Sequence, residues 1–315
     1  MSVIVFGSIN LDLVATVEHR PQPGETLLAS GFTSTPGGKG ANQALAARKM
    51  GASVRMVGAV GNDSFAEPAL SLLQQAGIDL SHVAHLNDSS TGLAFIHLDE
   101  QGENSITVVS GANYQVEAQG LAALEQILTA KDILVMQLEI PLTSVQQAIV
   151  IARRKGAAVL IDPAPGVSDL PAELLQVDIF IPNRGEAEMV LKHSIESIEQ
   201  AREAAQELHQ RGAKLGVVKL GAEGAVWANE QGTGYQPALK VQAIDSTGAG
   251  DAFAGALAAV LNQSTDTALD LAAAMRQASI FAALATTRLG AQQSYPTLAE
   301  VHRHNSSPLR GEANT

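Results

Sequence analysis

Cysteine is absent from all 315 residues, which excludes disulfides, thiolate metal sites and cysteine nucleophiles. Positive charge is scarce as well: 20 Lys and Arg stand against 32 Asp and Glu, for a net charge of −12, and no basic run occurs anywhere. An electrostatic footprint for nucleic acid or anionic lipid is therefore missing, and any phosphate must be held locally. Aromatic residues make up only 3 % of the chain although 46 % is hydrophobic; the apolar content is mostly Ala, Val, Leu and Ile, as helix-covered parallel sheets require. No apolar run is long enough to span a membrane, and the chain opens into an apolar strand pattern (residues 2–9) without a basic leader or cleavage site, so a cytoplasmic location is expected. The chain has no H-E-x-x-H, G-x-S-x-G or G-x-G-x-x-G, which removes the usual anchors of zinc proteolysis, α/β-hydrolase chemistry and dinucleotide binding.

What is present centres on residues 243–253. An apolar run over 239–244 predicts a strand, a polar small-residue turn follows, and an Ala-rich helical pattern fills 252–261. Gly248, Ala249 and Gly250 fall where the first turn of a helix leaves backbone N–H groups without intrahelical partners, a geometry suited to a phosphoryl group. Asp251 then brings a carboxylate beside an anion site, which suits a base for an attacking hydroxyl. An ordinary Gly-rich turn with an acid in the first helical turn satisfies the same pattern.

Along the chain, Asn10 and Asp12 follow the first strand, at the end where ligands bind in open α/β sheets, or serve as turn residues. Residues 13–35 alternate in short bursts broken by Pro21, Pro23 and Gly24, and predict a small excursion of strands. The segment Gly37-Gly38-Lys39-Gly40-Ala41-Asn42-Gln43 opens a helix over 41–50. It is no P-loop: Thr33 stands five residues before Gly38, and Gly40 replaces the Ser or Thr after Lys39. Its glycines would let a ligand touch backbone, with Lys39 and Asn42 as donors. A hairpin over 91–98 and 104–110 is expected to join the excursion as a second small sheet. βα alternation continues through strands at 54–60, 133–139, 157–161, 178–181 and 214–220. Glu139 ends one of these strands, and the Gly221-Ala222-Glu223-Gly224 loop follows another. Asn183 and Glu186 have the spacing of a capping box and also of a magnesium-shell pair. Two helical stretches, 252–261 and 267–287, precede a polar tail from 305 to 315.

Seven segments in order make the chain resemble the ribokinase-like carbohydrate kinase family over nearly its whole length: 7–12, 37–43, 110–113, 136–139, 162–165, 182–186 and 245–251. The resemblance implies a three-layer α/β/α fold with a small β lid that often pairs two subunits. The body would comprise residues 1–12, 37–90 and 111–304, the lid 13–36 and 91–110. It further implies ATP-dependent phosphorylation of a sugar, ribose at its 5-hydroxyl being expected over deoxyribose, another small sugar or a nucleoside; a non-catalytic sensor is the reading from another class. By the same resemblance Asp251 is the base and Gly248, Ala249 and Gly250 the anion hole. Asn10, Asp12, Gly38, Lys39, Gly40, Asn42 and Glu139 match sugar positions. Asn183, Lys219, Gly221, Glu223, Gly224, Gly250 and Ser279 match nucleotide positions, and Glu186 belongs to the magnesium motif. Asp245, Thr247, Ala285, Arg288, Gly290 and Ser294 match a potassium site. Two departures stand out: Ser279 is smaller than the polar residue expected near the nucleobase, and Asp162 occupies a position where the family often has asparagine.

Overall fold

The computed structural model describes residues 1–99, 101, 103–263 and 270–305. From β1 (Val3–Phe6) the chain passes to β2 (Asn10–Val17), β3 (Gly31–Gly37), α1 (Lys39–Lys49), β4 (Val54–Gly61), α2 (Ala66–Gln75) and β5 (Asp79–Leu86). Next come β6 (Gly92–Asp99), β7 (Asn104–Val109), α3 (Glu117–Ile127), β8 (Ile133–Met136), α4 (Leu142–Lys155), β9 (Ala158–Ile161) and β10 (Ile179–Phe180). The remainder is α5 (Arg184–Leu191), α6 (Ile198–Gln210), β11 (Leu215–Lys219), β12 (Ala225–Asn229), β13 (Gly232–Gln236), α7 (Ala249–Gln263), α8 (Leu271–Ala285) and α9 (Leu298–Asn305).

The short apolar runs form the middle layer. Val3 and Val5 of β1 face one core while Ile4 and Phe6 face another, and β8 repeats the division with Ile133 and Val135 against Leu134 and Met136. A strand buried on both faces needs helices on both sides. Helices α1, α2, α7, α8 and α9 cover the first face, and α3, α4, α5 and α6 the second. The resulting sheet has the order β13-β12-β11-β10-β9-β8-β1-β4-β5, parallel from β11 to β5 and closed at the far edge by the antiparallel β12 and β13. At that edge the ring of the only tryptophan, Trp227, packs against Gly234, where any Cβ would collide with it.

Strand β1 pairs with β4 on one side and β8 on the other, so the chain reverses its progress across the sheet there. Such a switch point opens a crevice at the C-terminal ends of the strands. Over that crevice stands a second sheet, ordered β3-β2-β6-β7, as expected of the two alternating stretches; it begins at Asn10, which is paired with Gly37 and Gly92.

Three expectations need correction. Residues 239–244 form no strand: the N–H groups of Ile244 and Asp245 both turn to the Thr286 carbonyl, and Leu239, Val241 and Ala243 line a cleft instead. Their apolar character serves a cavity wall, a use that periodicity cannot tell from a sheet. Strands β5, β12 and β13 were not anticipated, β5 because its alternation is half polar (Asp79, Ser81, His82) at the sheet edge. The last long helix starts at Leu271, capped by Asp270, rather than at 267; residues 267–269, the hairpin-turn residues 100 and 102 and the tail from 306 onward lie outside the described residues.

Candidate active site

The glycines that open α1 set its distance from the sheet. A Cβ on Gly40 would stand 2.6 Å from the Gly7 carbonyl carbon, and one on Gly38 would stand 2.7 Å from Asn10 N. Helix α1 can therefore abut the end of β1 only with these residues bare. That approach collects the expected sugar-binding set. Glu139 Oε2 accepts from Ser8 Oγ at 2.5 Å and from the Lys39 N–H at 3.2 Å. Asn10 is buried, and its Oδ1 accepts from Asn113 Nδ2 at 2.7 Å. Burial, reinforced by Glu139 and then Asp251, pushes the Asp12 carboxyl up to about 7. Asp251, more than any other neighbour, raises the Lys39 ammonium well above its ordinary range, so it stays charged.

Asp251 sits in the first turn of α7, buried, and the amides of α1 fix both its oxygens: Asn42 Nδ2 donates to Oδ2 at 2.9 Å and Gln43 Nε2 to Oδ1 at 3.2 Å. Each amide is oriented in turn from another element. Gln292 Nε2 donates to Asn42 Oδ1 at 3.0 Å, and Gln137 Nε2 to Gln43 Oε1 at 2.7 Å. Before it, Gly248 has φ +72°, and a Cβ there would lie 2.7 Å from that of Ala291. Burial, and then Asp251, raises the Tyr295 hydroxyl far above its usual range, so it remains a donor, to the Gly248 carbonyl at 3.2 Å. One of the three amides expected to form the anion hole is already used: the Ala249 N–H donates to the Ser246 carbonyl at 3.1 Å, closing the turn. Among the described residues no protein acceptor takes the Gly248 or Gly250 N–H.

A cleft of about 790 Å³ runs from this turn along the C-terminal ends of β9, β10 and β11. It joins Lys39 and Gly248 to Asp251 with Asn183, Glu186, Lys219, Gly221, Gly224 and Ser279, so most of the expected nucleotide set shares one wall with the base. Glu223 is the exception. It does not line the cleft; its carboxylate pairs with Arg184 and its carbonyl accepts from the Tyr235 hydroxyl, which turns it outward. Asn183 and Glu186 form a complete capping box on α5, with Asn183 N to Glu186 Oε2 at 2.7 Å and Glu186 N to Asn183 Oδ1 at 2.8 Å.

The residues matched to a potassium site gather only in part. Asp245 accepts from the Thr247 N–H at 2.9 Å and the Gly290 N–H at 2.8 Å. Burial works against its charge, but these hydrogen bonds outweigh it and hold the carboxyl below its ordinary range. Ala285 is buried at the end of α8, Ser294 is buried and donates to the Ala291 carbonyl at 2.7 Å, and Arg288 turns away to pair with Glu300. With both Asp245 oxygens engaged, this loop has chiefly backbone carbonyls to offer a monovalent cation. Among the described residues no group of three or more acidic, His or Cys side chains could cage a metal, so a divalent ion fits here only if phosphate and water supply most of its ligands.

Gln43, Gln137, Gln292 and Asn113 carry the geometry of the site without having been assigned a role from sequence. Gln43, Asn113 and Gln137 stand inside the segments 37–43, 110–113 and 136–139, and nothing in the sequence marks Gln292.

Residues 1–298 match the family described as pfkB family carbohydrate kinase. The chain is 37 % identical to a ribokinase of Haemophilus influenzae, covering 95 % of this chain and 97 % of that one, and 35 % identical to a deoxyribokinase of Salmonella typhi, covering 97 % and 99 %. The structure of Arabidopsis thaliana ribokinase complexed with ribose and ATP superposes with a TM-score of 0.88 at 29 % identity, covering 98 % of this chain and 99 % of the other. With a nine-stranded sheet between two helical layers, a small second sheet over the crevice and a family match across almost its whole length, the chain belongs to the pfkB family of carbohydrate kinases and has the ribokinase-like fold.

Proposed function

We propose that the chain transfers the terminal phosphoryl group of ATP to the 5-hydroxyl of ribose. The observation that carries this reading is Asp251: a buried carboxylate, fixed by two amides, standing where the polar cluster of Asn10, Asp12 and Glu139 meets a cleft large enough for a nucleotide. The sugar oxygen forms its bond to the γ-phosphorus as the bond to ADP breaks. ADP leaves with the electron pair, and the hydroxyl proton passes to Asp251. The Gly248 and Gly250 amides, at the positive end of α7, receive the transferring oxygens. The small sheet acts as a lid that excludes water from the reaction.

Magnesium, when bound with the nucleotide, neutralises charge on the phosphate oxygens; Glu186, in the cleft wall, would hold part of its water shell. Potassium would take carbonyls of the loop that joins Asp245 to Gly290 and act as an activator. Apolar side chains exposed on the small sheet, among them Phe32, Phe95, Ile106 and Val108, support a homodimer formed through the lids. A cytoplasmic location goes with this reading.

Ribose is preferred because the Asn10 amide is aimed by Asn113, leaving its Nδ2 to donate to a ligand hydroxyl, where a deoxy position would suit an apolar residue better. The similarity to a deoxyribokinase supports 2-deoxyribose as the second reading. A coupled ADP-release assay over pentoses, hexoses and nucleosides, with and without potassium, tests the assignment: ribose should give the highest kcat/KM. Asp251→Asn should lower kcat by about 10²- to 10⁴-fold while ADP binding persists; unchanged turnover would remove Asp251 as the base.

A further inference from the structure

Three lysines line the cleft; Lys240 is exposed, whereas Lys39 and Lys219 are partly buried and reach it from different elements. Lys39 enters from α1. Lys219 enters from the end of β11, and its Nζ lies 2.8 Å from Asp162 Oδ1. This second pair is internal, with side-chain exposures of 11 % for Lys219 and 1 % for Asp162. Asp162 is the position that departs from the family's frequent asparagine, and the structure supplies the reason: it is the counter-ion of Lys219.

An ammonium has three donors, and Asp162 takes one. The others open toward the cleft that Lys219 shares with Gly248, Ala249 and Gly250. A Cβ built on Gly250 would stand 3.5 Å from Lys219 Nζ, so the ammonium stands across from the turn with the two open amides. The second oxygen of Asp162 accepts from Gln43 Nε2 at 3.1 Å, the same nitrogen that holds Asp251 at 3.2 Å. One amide thereby fixes both the proton acceptor and the anchor of the second cation. The charge balance requires such a cation. Asp162, Glu186 and Asp251 all line the cleft, and without Lys39 and Lys219 only the exposed Lys240 would offset these carboxylates and the phosphates of a nucleotide.

We propose that Lys219 is a catalytic residue of phosphoryl transfer, its Nζ donating to the non-bridging oxygens of the transferring group, with Asp162 as the positioning residue that holds it there. The proposal rests on the phosphoryl-transfer reading above. It assigns Lys219 to the terminal phosphate rather than to the nucleotide in general, so its loss should act on turnover and on discrimination by phosphate number.

The test is a pair of variants. Lys219→Met alone strands the Asp162 carboxylate inside the protein and should lower the Tm. Adding Asp162→Asn removes that charge and should restore the Tm, because a buried ion pair can be exchanged for neutral groups of similar size. In the double variant kcat should nevertheless stay about 10²-fold below the original, and the preference for ATP over AMP in equilibrium binding should shrink by about tenfold. A double variant that regains kcat along with its Tm, or one that keeps the original ATP-over-AMP preference, would reduce the pair to a packing role and overturn the proposal. If the unaltered protein itself fails to bind ATP, the kinase reading falls and this assignment falls with it.

Discussion

Asp12 gives the site its pH dependence. Its carboxyl rises from an ordinary 3.8 to about 7 through burial and the nearby Glu139 and Asp251, and burial lifts Asp162 to about 6 despite Lys219. Between about pH 4 and pH 7 the folded chain holds protons that the unfolded chain has released, so stability is greatest below pH 4 on this account and falls as the pH rises to about 7. Asp12→Asn should flatten that decline, leaving the variant more stable than the original at pH 8 relative to pH 5; urea unfolding at the two values measures it, and an unchanged slope would remove Asp12 as its source. The acids themselves were legible in the sequence, because each follows a buried apolar run or opens a helix, although Asp12 falls inside β2 and Glu139 lies three residues beyond β8. The amides that aim them were not. Gln43 reaches Asp162 and Asp251 across 119 and 208 positions, and no local pattern encodes a contact of that range.

Helices α1 and α7 hold the base against its amides, and a single small residue sets their spacing. A Cβ on Gly255, one turn beyond Asp251, would lie 2.7 Å from the Ala46 Cβ and collide with the Gln43 carbonyl. Gly255→Ala should push α7 outward and lower kcat by about tenfold or more, since displacements near 1 Å are costly to a reacting geometry; KM for the nucleotide should change less. Equal losses in both would point to general unfolding instead. Away from the site, Ser197 caps α6 by accepting from the Gln200 N–H at 3.1 Å. Ser197→Ala should cost about 1 kcal/mol in denaturant unfolding and leave kcat alone. The Asn183–Glu186 cap and the buried parallel strands were readable from sequence because their signals are local. The run 239–244 was misread because a cavity wall and a sheet make the same demand for apolar side chains, and only the hydrogen-bond partner, Thr286, separates them.

At the scale of the molecule, the layer order followed from composition and alternation, whereas the placing of the small sheet over the crevice depended on pairing Asn10 with Gly37 and Gly92, which sequence spacing does not specify. If lids join two copies, Phe95→Asp should yield monomers in sedimentation equilibrium, and a variant that stays dimeric would move the contact elsewhere. The edge of the large sheet offers a separate handle. Trp227 is the only indole in the chain and is buried on β12, against Gly234. Its fluorescence therefore follows melting of that edge alone, while circular dichroism sums every helix. Two traces with one midpoint would show that the edge hairpin and the helices come apart together, and an earlier fluorescence change would show that the hairpin frays first.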